Sequence, residues 1–197
     1  MSSGVGLPDY ELDDLRIITS TPELKAAFHP LRDQLLELVL ERSATVAELA
    51  AAVDRPKSSV AYHVNVLVDA GLLKVVRTRR VRAIQERFYG RTARVFYVGK
   101  IQPEQLPVIP NILLDAAADS VGAHEADDLR AIIRHARISR TQTAEFWDRL
   151  VALTREFSAL PRTGDETFRF VAGLYPTEHP SLPNADPDAG EQPSMGS

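Results

Sequence analysis

Apolar residues recur at helical spacing through the first seventy positions of this chain, switch to a strand-like period after Gly71, and return to helical spacing near residue 141. Ser20-Thr21-Pro22-Glu23 has capping-box spacing with proline where a missing N–H costs least, which predicts a helix to about Ala27. His29-Pro30 breaks it. Leu31, Leu35, Leu38 and Val39 then mark an amphipathic helix to about Glu41. Thr45 with Glu48 forms a second capping box, opening a short helix through Val53 with Val46, Leu49 and Val53 inward. Asp54-Arg55-Pro56 is a turn, and Pro56 suits the first position of the helix that follows. On that helix Val60, Val64, Leu67 and Val68 share one side, and Gly71 supplies a stop that tolerates positive φ.

Two short helices, a tight turn and a third helix make a helix-turn-helix. The next segment runs Leu73, Val75 and Val76, then Arg77 to Arg82, then Glu86 to Tyr89, and predicts a two-stranded ribbon with a basic tip, a wing. Pro103, Pro107 and Pro110 mark a linker, an alanine-rich helix is expected from about Asn111 to Val121, and residues 141–159 form a helix carrying Phe146, Leu150, Leu153 and Phe157 on one face with Trp147 beside them. Residues 129–138 fit a helix through Leu129, Ile132, Ile133 and Ala136, and fit a strand through their β-branched residues; the balance leans to strand. Residues 167–174 alternate Phe168, Phe170 and Ala172 against Thr167, Arg169 and Val171, as a strand would.

The expected fold is mainly α with small β: a flexible arm over 1–13, a winged helix-turn-helix over 14–100, a C-terminal helical or α+β dimerisation domain over 101–175 that is also the place for an effector, and a disordered tail over 176–197, where five prolines and few apolar groups leave nothing to pack. The chain has no cysteine, which removes disulfides, thiolate metal sites and zinc fingers and suits a reducing cytoplasm. No window approaches the ~18 consecutive apolar residues of a membrane helix, so no membrane partner is expected.

The net charge of −4 hides a segregation. Between Arg55 and Lys100 stand 11 Lys and Arg against two acids, Asp69 and Glu86, while the rest of the chain is acidic. A locally basic module attracts phosphate while acidic flanks limit indiscriminate association. On the helix from Lys57, the positions opposite the buried stripe are Ser58, Tyr62 and Asn65. Asparagine pairs bidentately with adenine, serine donates or accepts at a base edge or phosphate, and a tyrosine ring covers a thymine methyl. Lys57 and Ser59, at the helix start, are placed for phosphate, where free N–H groups favour an anion. The plain alternative is a polar surface helix, but the ribbon beside it carries Arg77, Arg79, Arg80 and Arg82, suited to phosphate or the minor groove. Thus helix 57–70 is expected to read the major groove of double-stranded DNA and wing 73–90 to hold the backbone and minor groove. The same residues allow a second reading, a winged helix that binds an acidic protein partner without sequence-specific DNA binding. His63 lies at the edge of the buried face and reads as structural, and Glu86 as the partner of a neighbouring arginine. No phosphate loop, nucleophile elbow or catalytic set is present, so no enzyme and no cofactor are expected.

Ser58 to Leu67 followed by Asp69-Ala70-Gly71-Leu72-Leu73 resembles the recognition-helix motif of ArsR-type winged helix-turn-helix transcription regulators. Thr45 to Ala50 resembles the preceding helix, and Leu12-Asp13-Asp14 with Thr21 to Ala26 the lead-in. Arg79-Arg80-Val81-Arg82 with Glu86 to Tyr89, and the closing Gly173 to Thr177, resemble a branch with a long basic wing and an added C-terminal domain. The resemblance implies a homodimer on a pseudo-palindromic operator, usually repressing until an effector, here a small molecule of unknown identity, weakens binding. Phe146, Trp147, Leu150 and Leu153 are the candidate dimerisation residues, or equally the core of their own domain. Aromatics Phe146, Trp147, Phe168 and Phe170 are also a place for an apolar ligand, though such clusters more often form core. Classical members sense metals through cysteine pairs, absent here; His124 and His135 would align only on a continuous helix, and no metal site is expected.

Overall fold

A computed structural model describes residues 8–81 and 84–182, the side chains of Val81 and Ile84 excepted. The first strand, β1 (Asp13–Ile18), leads to Ser20, whose hydroxyl caps the amide of Glu23 while the Glu23 carboxylate returns to the Ser20 amide, opening α1 (Thr21–Ala27). After His29, α2 (Pro30–Glu41) buries Leu35, Leu36, Val39 and Leu40. The reciprocal cap of Thr45 and Glu48 opens α3 (Val46–Ala52), and α4 (Lys57–Asp69) follows Pro56, which is the cap residue and not the first helical one. Val60, Val64 and Leu67 of α4 are fully buried against α1, α2 and α3.

The end of α4 explains its glycine. Gly71 has φ +68°, its amide bonds to the Val68 carbonyl at 2.9 Å, and the Leu72 amide bonds to the Leu67 carbonyl at 2.8 Å, the paired closure that a left-handed residue permits. The chain then enters β2 (Leu73–Val81), which returns antiparallel as β3 (Ile84–Arg91), with a register irregularity between Val75 and Arg77. This is the expected wing of 73–90, ending one residue later at Arg91.

A third component has no counterpart in the hydrophobic pattern. One residue beyond β3, β4 (Ala93–Val98) pairs in parallel with β1, setting Asp13 against Ala93 and Ile18 against Val98. Both strands are short and partly exposed, so neither has a clean alternation to betray it. The described part of the expected arm is likewise anchored. The Ser43 amide and hydroxyl donate to the Asp9 carboxylate at 2.5 and 2.8 Å, and the Tyr10 hydroxyl donates to the Val39 carbonyl at 2.5 Å and accepts from the Arg91 amide at 3.0 Å. Residues 8–13 are therefore no loose arm; residues 1–7 lie outside the described residues.

Beyond Gly99 come a 3-10 helix (Pro103–Val108), α5 (Ile112–Asp119), α6 (Val121–Glu125) and α7 (Arg140–Ala159). The strands expected over 129–138 and 167–174 are not formed, because neither segment has a neighbouring edge to supply its hydrogen bonds. Every strand among the described residues lies between 13 and 98, and the class remains mainly α with small β. Residues 101–182 contain no buried residue. Helix α7 lies on β4: Trp147 Nε1 donates to the Tyr97 hydroxyl at 2.9 Å, and Arg155 pairs with Asp14 of β1 at 3.0 Å. No described helix is long and apolar enough to cross a membrane. Residues 176–182 have no regular structure, and the rest of the expected tail, 183–197, lies outside the described residues.

Candidate nucleic-acid interface

Burial of one side of α4 fixes what its other side presents. Ser58, Tyr62 and Asn65 follow at spacings of four and three, and all three are exposed, Tyr62 at 64%. None of their side chains hydrogen-bonds to another described residue, so their polar groups remain available. Lys57 is exposed and Ser59 half-buried. The helix has no side-chain cap and no acid in its first turn, so its leading N–H groups keep their affinity for an anion.

Strand pairing divides the wing into two faces, since residues directly opposite point the same way. Arg77 stands opposite Phe88 and Arg79 opposite Glu86 on one face; Thr78 opposite Arg87 and Arg80 opposite Gln85 on the other. On the first face the cations are engaged. The Arg77 guanidinium lies 4.0 Å from the centre of the Phe88 ring and 3.8 Å from Asp9, and Arg79 pairs with Glu86 at 2.8 Å, the arginine partner expected for that acid. On the second face Arg80 and Arg87 are exposed and form no ion pair with a described residue. Arg87 was not singled out in the sequence, although its place two residues past Gln85 in a paired strand would have put it beside Arg80. Arg82 lies outside the described residues.

The candidate C-terminal residues separate. Trp147 faces β4 through Tyr97, Leu150 is half-buried, and Phe146 and Leu153 are exposed on another side of α7. The four aromatics considered for an apolar ligand have different neighbours: Phe146 meets the Arg149 guanidinium, Phe170 meets Phe157 with ring centres 5.6 Å apart, Trp147 meets Tyr97, and Phe168 is exposed. His124 lies in the last turn of α6 and His135 in the irregular segment after it, so the helical alignment that a shared ligand set would need does not exist.

His63 is half-buried, and its Nδ1 lies 3.3 Å from the Arg32 guanidinium. Arg32 was not foreseen, yet it occupies a position on the apolar stripe with Leu35, Leu36 and Val39, and a cation on such a stripe signals a buried partner.

The model of the helix-turn-helix domain matches residues 29–76. Among solved structures, the chain is similar to a possible transcriptional regulator for arsenical resistance, at 25% identity over 55% of this chain and 98% of that one, with a TM-score of 0.31. It is similar to Rv0081 of M. tuberculosis, at 25% identity over 53% of this chain and 87% of that one, TM-score 0.30. Its identity to the transcriptional repressor BigR from Xylella fastidiosa is 23% over 55% of this chain and 86% of that one, TM-score 0.30. No curated protein matches the chain.

Proposed function

Given that residues 29–76 are a helix-turn-helix domain extended by a wing, we propose that the protein is a homodimeric, ArsR-type transcription regulator that represses by occupying a pseudo-palindromic operator. Helix α4 enters the major groove, where Tyr62 and Asn65 read base edges and Ser58 reads a base edge or phosphate, while Lys57 and Ser59 hold phosphate. The wing follows the backbone, with Arg80 and Arg82 at phosphates or in the minor groove and with Arg77 and Arg79 exchanging Asp9 and Glu86 for phosphate oxygens. The observation that carries this reading is the stripe Ser58, Tyr62 and Asn65, exposed and free of hydrogen bonds to described residues on a helix whose opposite side is fully buried.

Helix α7 supports dimerisation. Its exposed side carries Phe146, Leu153 and Phe157, and a 20-residue helix with apolar side chains turned to water gains by covering them. A second copy also supplies the second reading head that a two-fold operator requires.

A gel-shift on random duplex at low salt tests the function. Weak binding to any sequence, lost as salt rises, is expected of a protein held by phosphate contacts. Binding to no duplex at low salt, with retention on an acidic protein matrix, would instead assign the basic face to a protein partner.

A further inference from the structure

The base-reading helix is tied to the body of the domain through two histidines and one buried arginine. From α2, the Arg32 guanidinium donates through Nε to the Ala26 carbonyl at 2.8 Å and through one terminal nitrogen to the Lys25 carbonyl at 2.7 Å, closing the end of α1. Its other terminal nitrogen reaches His63 Nδ1 of α4 at 3.3 Å. The ring of His29, which caps α2 by accepting the Leu31 amide on its own Nδ1 at 3.2 Å, lies 4.8 Å from the His63 ring, centre to centre. On its other side His63 meets Tyr62 edge-on, at 5.3 Å and 76°.

A guanidinium only donates, and so does a backbone amide. The Nδ1 atoms of both histidines must therefore carry lone pairs, and the arrangement exists only while both rings are neutral. Beside the pair stand Arg32 from α2, itself held by the carbonyls of Lys25 and Ala26 at the end of α1, and Tyr62 from α4; no carboxylate forms an ion pair with either ring among the described residues. A proton on His63 would replace an acceptor with a donor opposite a fixed cation, and nothing nearby neutralises it. Burial and the Arg32 charge hold both histidines below their ordinary value, His63 with the added effect of His29.

We propose that His63 is a positioning residue for base reading: its neutral ring, held by Arg32 and His29, seats Tyr62 and α4, and its protonation unseats them. The inference rests on the DNA-binding function proposed above. Its sign separates it from ordinary electrostatics. A new positive charge near DNA strengthens binding to any phosphate backbone, whereas unseating α4 weakens discrimination between sequences.

The experiment uses the full chain and a duplex enriched by it from a random library at about pH 7.5, compared with a scrambled duplex down to about pH 5.5. The preference for the enriched duplex should fall roughly tenfold in acid, the effect of about one unit of coupled titration. In His63→Asn, whose amide oxygen replaces the Nδ1 acceptor without titrating, the preference should stay flat. In the free protein, the NMR amide signals of Tyr62 and Asn65 should titrate with a midpoint below that of an ordinary histidine. A wild-type preference that is constant or rises in acid overturns the proposal, as does an acid loss that persists in His63→Asn or an absence of amide titration. Failure to bind any duplex at any pH overturns the DNA-binding function itself and takes this role with it.

Discussion

Gly71 is the residue at which three parts of the domain meet. Its left-handed backbone closes α4, its carbonyl accepts from the Arg16 guanidinium and from the Thr92 hydroxyl, and a Cβ placed on it would stand 3.1 Å from Arg16. Gly71→Ala should destabilise the protein by about 1–2 kcal/mol, the cost of a left-handed alanine, read as a lower midpoint in urea. The two histidines give stability a pH dependence of definite sign. Because burial and Arg32 depress their folded-state values below 6.5, the unfolded chain takes up protons first as pH falls. Thermal stability should be level above about pH 7 and decline on acidification through 6.5, and this part of the decline should shrink in His63→Asn. Arg32 stood on an apolar stripe in plain view, but its meaning depended on His63, 31 residues away, which no local pattern connects to it.

At the scale of elements, α4 and the wing should fail differently. Tyr62→Ala or Asn65→Ala is expected to cost on the order of 1–3 kcal/mol of discrimination at one operator position, measured by competition among single-base variants. Combined replacement of Arg79, Arg80 and Arg82 by alanine should weaken binding to every sequence and flatten its salt dependence by about 0.9 for each phosphate the protein ceases to neutralise. Undiminished affinity of that triple variant for duplex would remove the wing from the interface. Elements α1 to α4 were legible because capping boxes, prolines and helical stripes are local signals, each satisfied by neighbours within a few residues. The pairing of β1 with β4 was not, since parallel strands are joined only by tertiary structure. The alternation over 167–174 was real as pattern, but a strand needs an edge to pair with, and the described fold supplies none there.

In the whole molecule, the described buried core stops at Ala93 and every later residue described is at least partly exposed. The dimer proposed above would cover part of that exposed apolar surface. Leu153→Asp on the exposed side of α7 should convert a species sedimenting at twice the chain mass into one at the chain mass, and lower operator affinity by removing the second reading head. An unchanged sedimentation coefficient would move the dimer contact elsewhere.

The parallel pair that brings Asp13 to Ala93 also sets a schedule. Contacts between positions about 80 residues apart close late, after local helices have formed. During synthesis β1 should therefore wait for its partner until the ribosome has released the chain through Val98. A chain terminated within β3 would keep α1 to α4 packed on one another and lose the parallel sheet alone, since β1 would have no β4 to pair with.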